Sequence, residues 1–216
     1  MTQGEVTFDC RARYFKLGET NSNTEQIWFV LHGYGQLAPY FIKKFSVLKE
    51  HGITIIAPEG LSRFYLENIQ DGTRKNDRVG ATWMTKENRT MDIHNYNQYL
   101  NSVYAHEVRN INAPVTVLGF SQGSATASRW VLDNKVRFDR LILWAGLFPT
   151  DMDFSAGHAL LKDKEVVAVY GNQDPFLTDA RFTEMRLLID KLRVNIKEVV
   201  FNGGHDIDRE TLLQII

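Results

Sequence analysis

Val115-Thr116-Val117-Leu118-Gly119-Phe120-Ser121-Gln122-Gly123, continuing as SATASRW to Trp130, is the stretch that decides the fold. Val115 to Leu118 is an apolar, β-branched run of the kind that forms a buried strand. Ala125 to Trp130 is helix-competent. Between them the chain must turn sharply, and a serine at that corner needs a strained backbone to push its hydroxyl out of the turn. Glycines two residues to either side leave room for strand and helix to pass closely. Ser121 is therefore the candidate nucleophile. A serine before a helix also reads as an ordinary N-cap, but a cap does not demand flanking glycines after a buried strand.

Composition narrows the setting. With 216 residues and 44% hydrophobic content, the chain is expected to form a single domain spanning 1–216 and to bury roughly 70% of the surface exposed when unfolded. A net charge of -1 argues against a dedicated nucleic-acid binder. No apolar run reaches the ~18 residues of a transmembrane segment, and MTQGEVTFDC lacks the regions of a secretion signal, so a cytoplasmic protein is expected. Cys10 is the only cysteine, which excludes an internal disulfide. It falls in an alternating segment, Val6 to Tyr14, that reads as a strand near a sheet edge, with Cys10 half-buried.

The rest of the chain follows a rhythm of apolar strands and amphipathic helices. Strands are expected at Ile27–Leu31, Ile53–Ala57, Val115–Leu118, Leu141–Ala145, Val166–Tyr170 and Ile196–Phe201. Helices are expected at about 39–49, 91–109, 122–132, 178–192 and 209–216. This alternation predicts an α/β fold with a mostly parallel twisted sheet and helices on both faces. In such sheets the ligand crevice lies outside the carboxyl ends of the strands.

Four strand ends carry chemistry: His32-Gly33-Tyr34-Gly35, Ser121, Gly171-Asn172-Gln173-Asp174-Pro175 and Gly203-Gly204-His205-Asp206. The order Ser, Asp, His is that of α/β-hydrolases. A hydroxyl needs a base to act as a nucleophile at neutral pH, and the base needs an acid to fix its tautomer. His205 fills the first role and Asp174 the second, with Asp151 and Asp153 as competitors for the acid. The backbone N–H groups of Tyr34 and Gln122 are the candidate oxyanion donors. His32 reads as a structural hydrogen-bonding residue. The group His205, Asp206 and Asp208 matches no common zinc spacing.

The combination LHGYG, GFSQG, GNQDP and GGHD resembles the carboxylesterase and acyl-protein thioesterase (lysophospholipase-like) family of α/β-hydrolases. The resemblance implies the same roles for Ser121, Asp174, His205, Tyr34 and Gln122. Two departures stand out: Gln36 where that family commonly has Asp after HGxG, and Ser124 where it has a second glycine after GFSQG.

About 20 residues separate the strand ending at Ala145 from the next, too few for a separate cap domain, so an open site is expected. Residues 59–89 leave a strand end on the active-site side and read as a substrate-side loop, with Trp83 and with Arg63, Arg74, Arg78 and Arg89 near the mouth. Tyr34, Leu37, Trp83, Phe148 and Phe176 are the expected apolar walls of an acyl groove, and the arginines would favour a carboxylate or phosphate on the substrate. The expected activity is hydrolysis of carboxylic esters or thioesters of short to medium acyl chains through an acyl-serine, without metal or organic cofactor. A peptidase on the same fold and a catalytically inactive binding module are the alternatives. An intact Ser121, Asp174 and His205 count against the latter.

Overall fold

A computed structural model describes residues 1–66 and 78–216. Its nine strands, among the described residues, are β1 (Tyr14–Leu17), β2 (Gln26–Leu31), β3 (Ile53–Pro58), β4 (Ser62–Tyr65), β5 (Val79–Thr82), β6 (Val115–Phe120), β7 (Arg140–Trp144), β8 (Glu165–Gly171) and β9 (Ile196–Phe201). The helices are α1 (Ala38–Phe41), α2 (Arg89–Val108), α3 (Gln122–Leu132), α4 (Gly157–Leu161), α5 (Asp179–Leu192) and α6 (Arg209–Gln214), with a 3₁₀ helix over Ile42–His51.

Seven strands form one sheet in the order β1-β3-β2-β6-β7-β8-β9. All neighbours are parallel except the edge pair β1 and β3. The central strands are apolar on both faces because helices cover both. Ile27, Phe29 and Leu31 pack with α2, α3 and the end of α5, through Tyr96, Leu100, Trp130 and Leu192. Trp28 and Val30, of opposite parity, pack with Phe41, Phe45 and Leu48 from α1 and the 3₁₀ helix, and with Leu212 of α6. Successive connections run outward from β2 to β3 and then return to β6 on its other side. The strand order therefore reverses between β2 and β6, where a crevice opens at the carboxyl ends. The loop 32–37 leaves β2 at this point, and Ser121 leaves β6.

The architecture is the expected α/β-hydrolase sheet, and residues 145–164 hold only α4, with no cap domain. Three local expectations are corrected. The alternating Val6–Tyr14 is not a strand: residues 1–13 are exposed, and pairing to β3 begins only at Tyr14. Cys10 is accordingly exposed rather than half-buried. The helix expected over 39–49 is a single α-helical turn followed by 3₁₀ structure. The segment 59–89 holds an antiparallel pair, β4 and β5, that sequence periodicity did not indicate. No helix of the described residues is long and apolar enough to cross a membrane.

Candidate active site

The corner at Ser121 has φ 54° and ψ -116°, a conformation that a residue with a side chain adopts only when its surroundings enforce it. Those surroundings are tight. A Cβ on Gly119 would lie 2.2 Å from the carbonyl oxygen of Gly123, and one on Gly123 would lie 2.2 Å from that of Leu31. Only glycine fits at either position. Ser121 N–H donates to the carbonyl of Trp144 at 2.8 Å, tying the corner to the end of β7. Ser124, in place of the family's second glycine, is fully buried and donates its hydroxyl to the carbonyl of Gly119 at 2.7 Å. Ser121 occupies the N-cap position of α3, yet its side chain makes no capping bond.

That side chain meets His205 instead. His205 Nε2 lies 2.9 Å from Ser121 Oγ, and His205 Nδ1 lies 2.6 Å from Asp174 Oδ2. The Asp174 carboxylate is buried, and its second oxygen accepts from Phe176 N–H at 2.9 Å. With Oδ2 accepting from Nδ1–H, the imidazole keeps Nε2 free to accept from the serine hydroxyl. The loops after β8 and β9 are laced together to hold this pair: Gln173 N–H donates to Gly203 O and Asn172 N–H to Phe201 O, both at 2.9 Å. The His205 ring lies between Phe120 and Phe176, with centroids 5.0 and 4.7 Å away.

The chain belongs to the serine hydrolase (FSH1) family. The family's sequence model matches residues 23–212, which contain every strand of the sheet but β1 and all three residues of this relay. A search of curated protein sequences gives no significant match. Solved structures share the fold at low identity. The acyl-protein thioesterase 2 of Zea mays is 16% identical, with 95% of this chain and 96% of that chain covered and a TM-score of 0.67. The Bacillus cereus carboxylesterase is 16% identical, with coverage of 94% and 91% and a TM-score of 0.66. The phospholipase/carboxylesterase of Dyadobacter fermentans is 18% identical, with coverage of 97% and 96% and a TM-score of 0.66.

In this serine hydrolase, Asp151 and Asp153 do not compete for His205. Asp151 forms ion pairs with Arg129 and Arg89, and Asp153 accepts from Ser155 N–H at 2.8 Å. Tyr34 N–H, in the turn after β2, donates to no described residue, and Gln122 N–H is in the first turn of α3, where it has no intrahelical acceptor. Both flank Ser121. The loop carrying Tyr34 is braced by three bonds: Gly33 N–H to Gln36 Oε1 at 2.9 Å, Gly35 N–H to Ala81 O at 2.9 Å and Ala81 N–H to Gln36 O at 3.1 Å. Gln36, the residue after His32-Gly33-Tyr34-Gly35, thus supplies the acceptor that shapes the turn.

His32 has the structural role expected. It is fully buried, and its Nε2 accepts from Gly60 N–H at 2.9 Å. Its Nδ1 therefore carries the proton and donates to Gly33 O at 2.8 Å. Burial pulls its pKa down from 6.5 to about 4, so the ring is neutral at physiological pH.

The expected apolar walls divide. Phe176 is exposed beside His205, Tyr34 is exposed and packs against Phe64, and Leu37 lies on an open groove of about 730 Å³. Gly35, Gln36, Leu37, Tyr40, Phe41, Lys44, Leu66, Arg78 and Val79 line that groove. It begins at the loop after β2 and reaches Lys44, whose ammonium lies 2.6 Å from Asp206 Oδ1, one residue from His205. Trp83 and Phe148 are corrections. Trp83 is 2% exposed, stacks on His32 and donates its indole N–H to His32 O at 2.8 Å; Phe148 is 3% exposed within the core. Large aromatics satisfy core packing as well as any groove, and sequence does not separate the two.

The arginines also divide. Arg63 pairs with buried Glu59 and Arg89 with Asp151, Arg78 lines the groove, and Arg74 lies outside the described residues. Sequence reasoning missed the side chain of Gln122. Its Oε1 accepts from Thr82 Oγ1 and Trp83 N–H, and its Nε2 donates to Met84 O, so it pins the segment after β5 to the start of α3. Nothing in the local pattern marks such a partner 38 to 40 residues away.

Proposed function

We propose that this serine hydrolase cleaves carboxylic esters or thioesters through an acyl-serine intermediate, with Ser121 as nucleophile, His205 as base and Asp174 as orienting acid. The observation that carries the reading is the unbroken line from Ser121 Oγ through His205 to Asp174, at 2.9 and 2.6 Å. As Oγ attacks the substrate carbonyl carbon, Nε2 takes its proton and Asp174 stabilises the imidazolium. The carbonyl oxygen becomes an oxyanion received by the N–H groups of Tyr34 and Gln122, the second at the positive end of α3. Collapse expels the alkoxide or thiolate, which receives the proton from Nε2. Water then repeats the sequence on the acyl-serine, releasing the acid and restoring Oγ–H.

For the acyl group we propose the groove beside Leu37, Tyr40, Phe41 and Leu66, whose apolar side chains suit a short to medium chain. Phe176, beside the base, is placed to meet the leaving group. We propose a single domain acting in the cytoplasm on small-molecule or acyl-group substrates, with neither metal nor organic cofactor in these steps. The test is fluorophosphonate labelling together with hydrolysis of p-nitrophenyl esters and acyl-thioesters. Wild type should be labelled and Ser121→Ala should be folded and silent in both assays; undiminished labelling of Ser121→Ala would overturn the assignment.

A further inference from the structure

Ser121 and His205 stand on strands that are not neighbours. β6 carries the serine and β9 leads to the histidine, with β7 and β8 between them. At about 4.8 Å per strand the two roots are some 14 Å apart across the sheet. A hydrogen bond of 2.9 Å between their side chains must be maintained across that span. Asp174 orients the imidazole ring, but it is itself on the far side of β7, after β8. The bonds between the loops after β8 and β9 hold Asp174 and His205 to each other, and β7, which lies between them and the serine corner, is placed to tie the two together.

Trp144, the last residue of β7, has contacts in both directions. Its carbonyl accepts the N–H of Ser121 at 2.8 Å. Its indole Nε1–H donates to the carbonyl of Asp206, the residue after His205, at 2.8 Å. The side chain is fully buried and its ring packs against Phe201 at the end of β9, so the indole is held in one orientation. Immediately after it, Ala145 takes φ 50°, unusual for a residue with a side chain, which turns the chain away beneath the serine corner. The Asp206 side chain is separately held by Lys44.

We propose that Trp144 is a positioning residue for the hydrolytic reaction: one side chain and its own carbonyl clamp the backbones of the nucleophile and of the residue beside the base, fixing the separation of Ser121 Oγ and His205 Nε2. The proposal rests on the assignment of Ser121 and His205 above. The indole N–H is the part that acts, since the ring alone could fill the same space without holding the His205 loop. Phenylalanine would leave both the volume of the missing ring and the Asp206 carbonyl unfilled. Benzothienylalanine, the sulfur isostere of tryptophan, keeps ring size and removes only the donor.

The experiment replaces Trp144 with benzothienylalanine in the full chain, alongside Trp144→Phe. It measures kcat and KM for p-nitrophenyl butyrate, the rate of fluorophosphonate labelling, and the folded fraction by circular dichroism and thermal melting. A small displacement of reacting groups is costly, so kcat per folded molecule and the labelling rate should fall together by about tenfold or more, with KM within about twofold. Benzothienylalanine-containing protein that is folded and keeps wild-type kcat overturns the proposal, whatever happens to its melting temperature. So does a rise in KM with kcat unchanged. Failure of the underlying assignment appears separately, as labelling that survives Ser121→Ala in a chain with Trp144 intact.

Discussion

Replacing His32 by glutamine should remove a specific part of the protein's sensitivity to acid. In the folded chain His32 is neutral, its Nε2 occupied by the N–H of Gly60 and its Nδ1–H by the carbonyl of Gly33. Protonation would place a second N–H against Gly60 N–H inside a fully buried, ring-stacked site, and burial accordingly lowers the pKa from 6.5 to about 4. Above pH 6.5 the residue is neutral in both states, and its contribution to stability is fully present. Between 6.5 and 4 the unfolded chain binds a proton that the folded one refuses, so stability falls as pH falls. At about 1.36 kcal/mol per pH unit, the interval amounts to about 3 kcal/mol by pH 4. Glutamine keeps an acceptor near Gly60 N–H and does not titrate, so the variant should start less stable at pH 7 but lose about 3 kcal/mol less on acidification. Urea unfolding of both proteins at pH 7 and pH 4 measures this, and carboxylates common to both cancel in the difference. A difference in acid loss below about 1 kcal/mol would refute the buried neutral histidine.

Asp174→Asn should give a folded enzyme whose kcat is lower by as much as about 10⁴, because the imidazole would hold the wrong tautomer, while Asp151→Asn should act on melting temperature more than on kcat. Gln36→Ala removes the acceptor of Gly33 N–H and should lower kcat about tenfold with little change in KM for p-nitrophenyl esters, since the loop carrying Tyr34 N–H loses its shape. Trp83→Ala should cost about 3 to 5 kcal/mol in urea unfolding and leave the acyl chain-length profile of the folded fraction unchanged, because this tryptophan is core. Phe176→Ala should instead preserve stability within about 0.5 kcal/mol and change kcat/KM across a leaving-group series.

The local sequence determined what each strand end carries. Continuous apolar runs such as Ile27–Leu31 and Val115–Leu118 read as buried parallel strands because both faces must be covered, and the structure places them at the sheet centre. The glycines around Ser121 are a local pattern, and the order of Ser121, Asp174 and His205 and the family resemblance were legible because each strand end carries its own short motif. Elements that depend on a distant partner were not legible. β4 is half polar and mostly exposed, its partner β5 is short and buried, and the place of the pair is fixed by the bridge from Ala81 to Gln36, 45 residues away. Val6–Tyr14 has the alternation of a strand, but pairing reaches only its last residue, and over residues 6–12 no described strand lies alongside, so alternation without a partner edge forms no ladder there. Trp83 and Phe148 looked like groove walls and are core, since an aromatic ring gains as much from burial under a sheet as under a ligand. The reach of Trp144 to Asp206 likewise depends on where the sheet order sets β7 and β9, and that of Gln122 to Met84 on where the separate β4–β5 pair docks. Hydrogen bonds between strand ends are properties of that order, and only folding decides it.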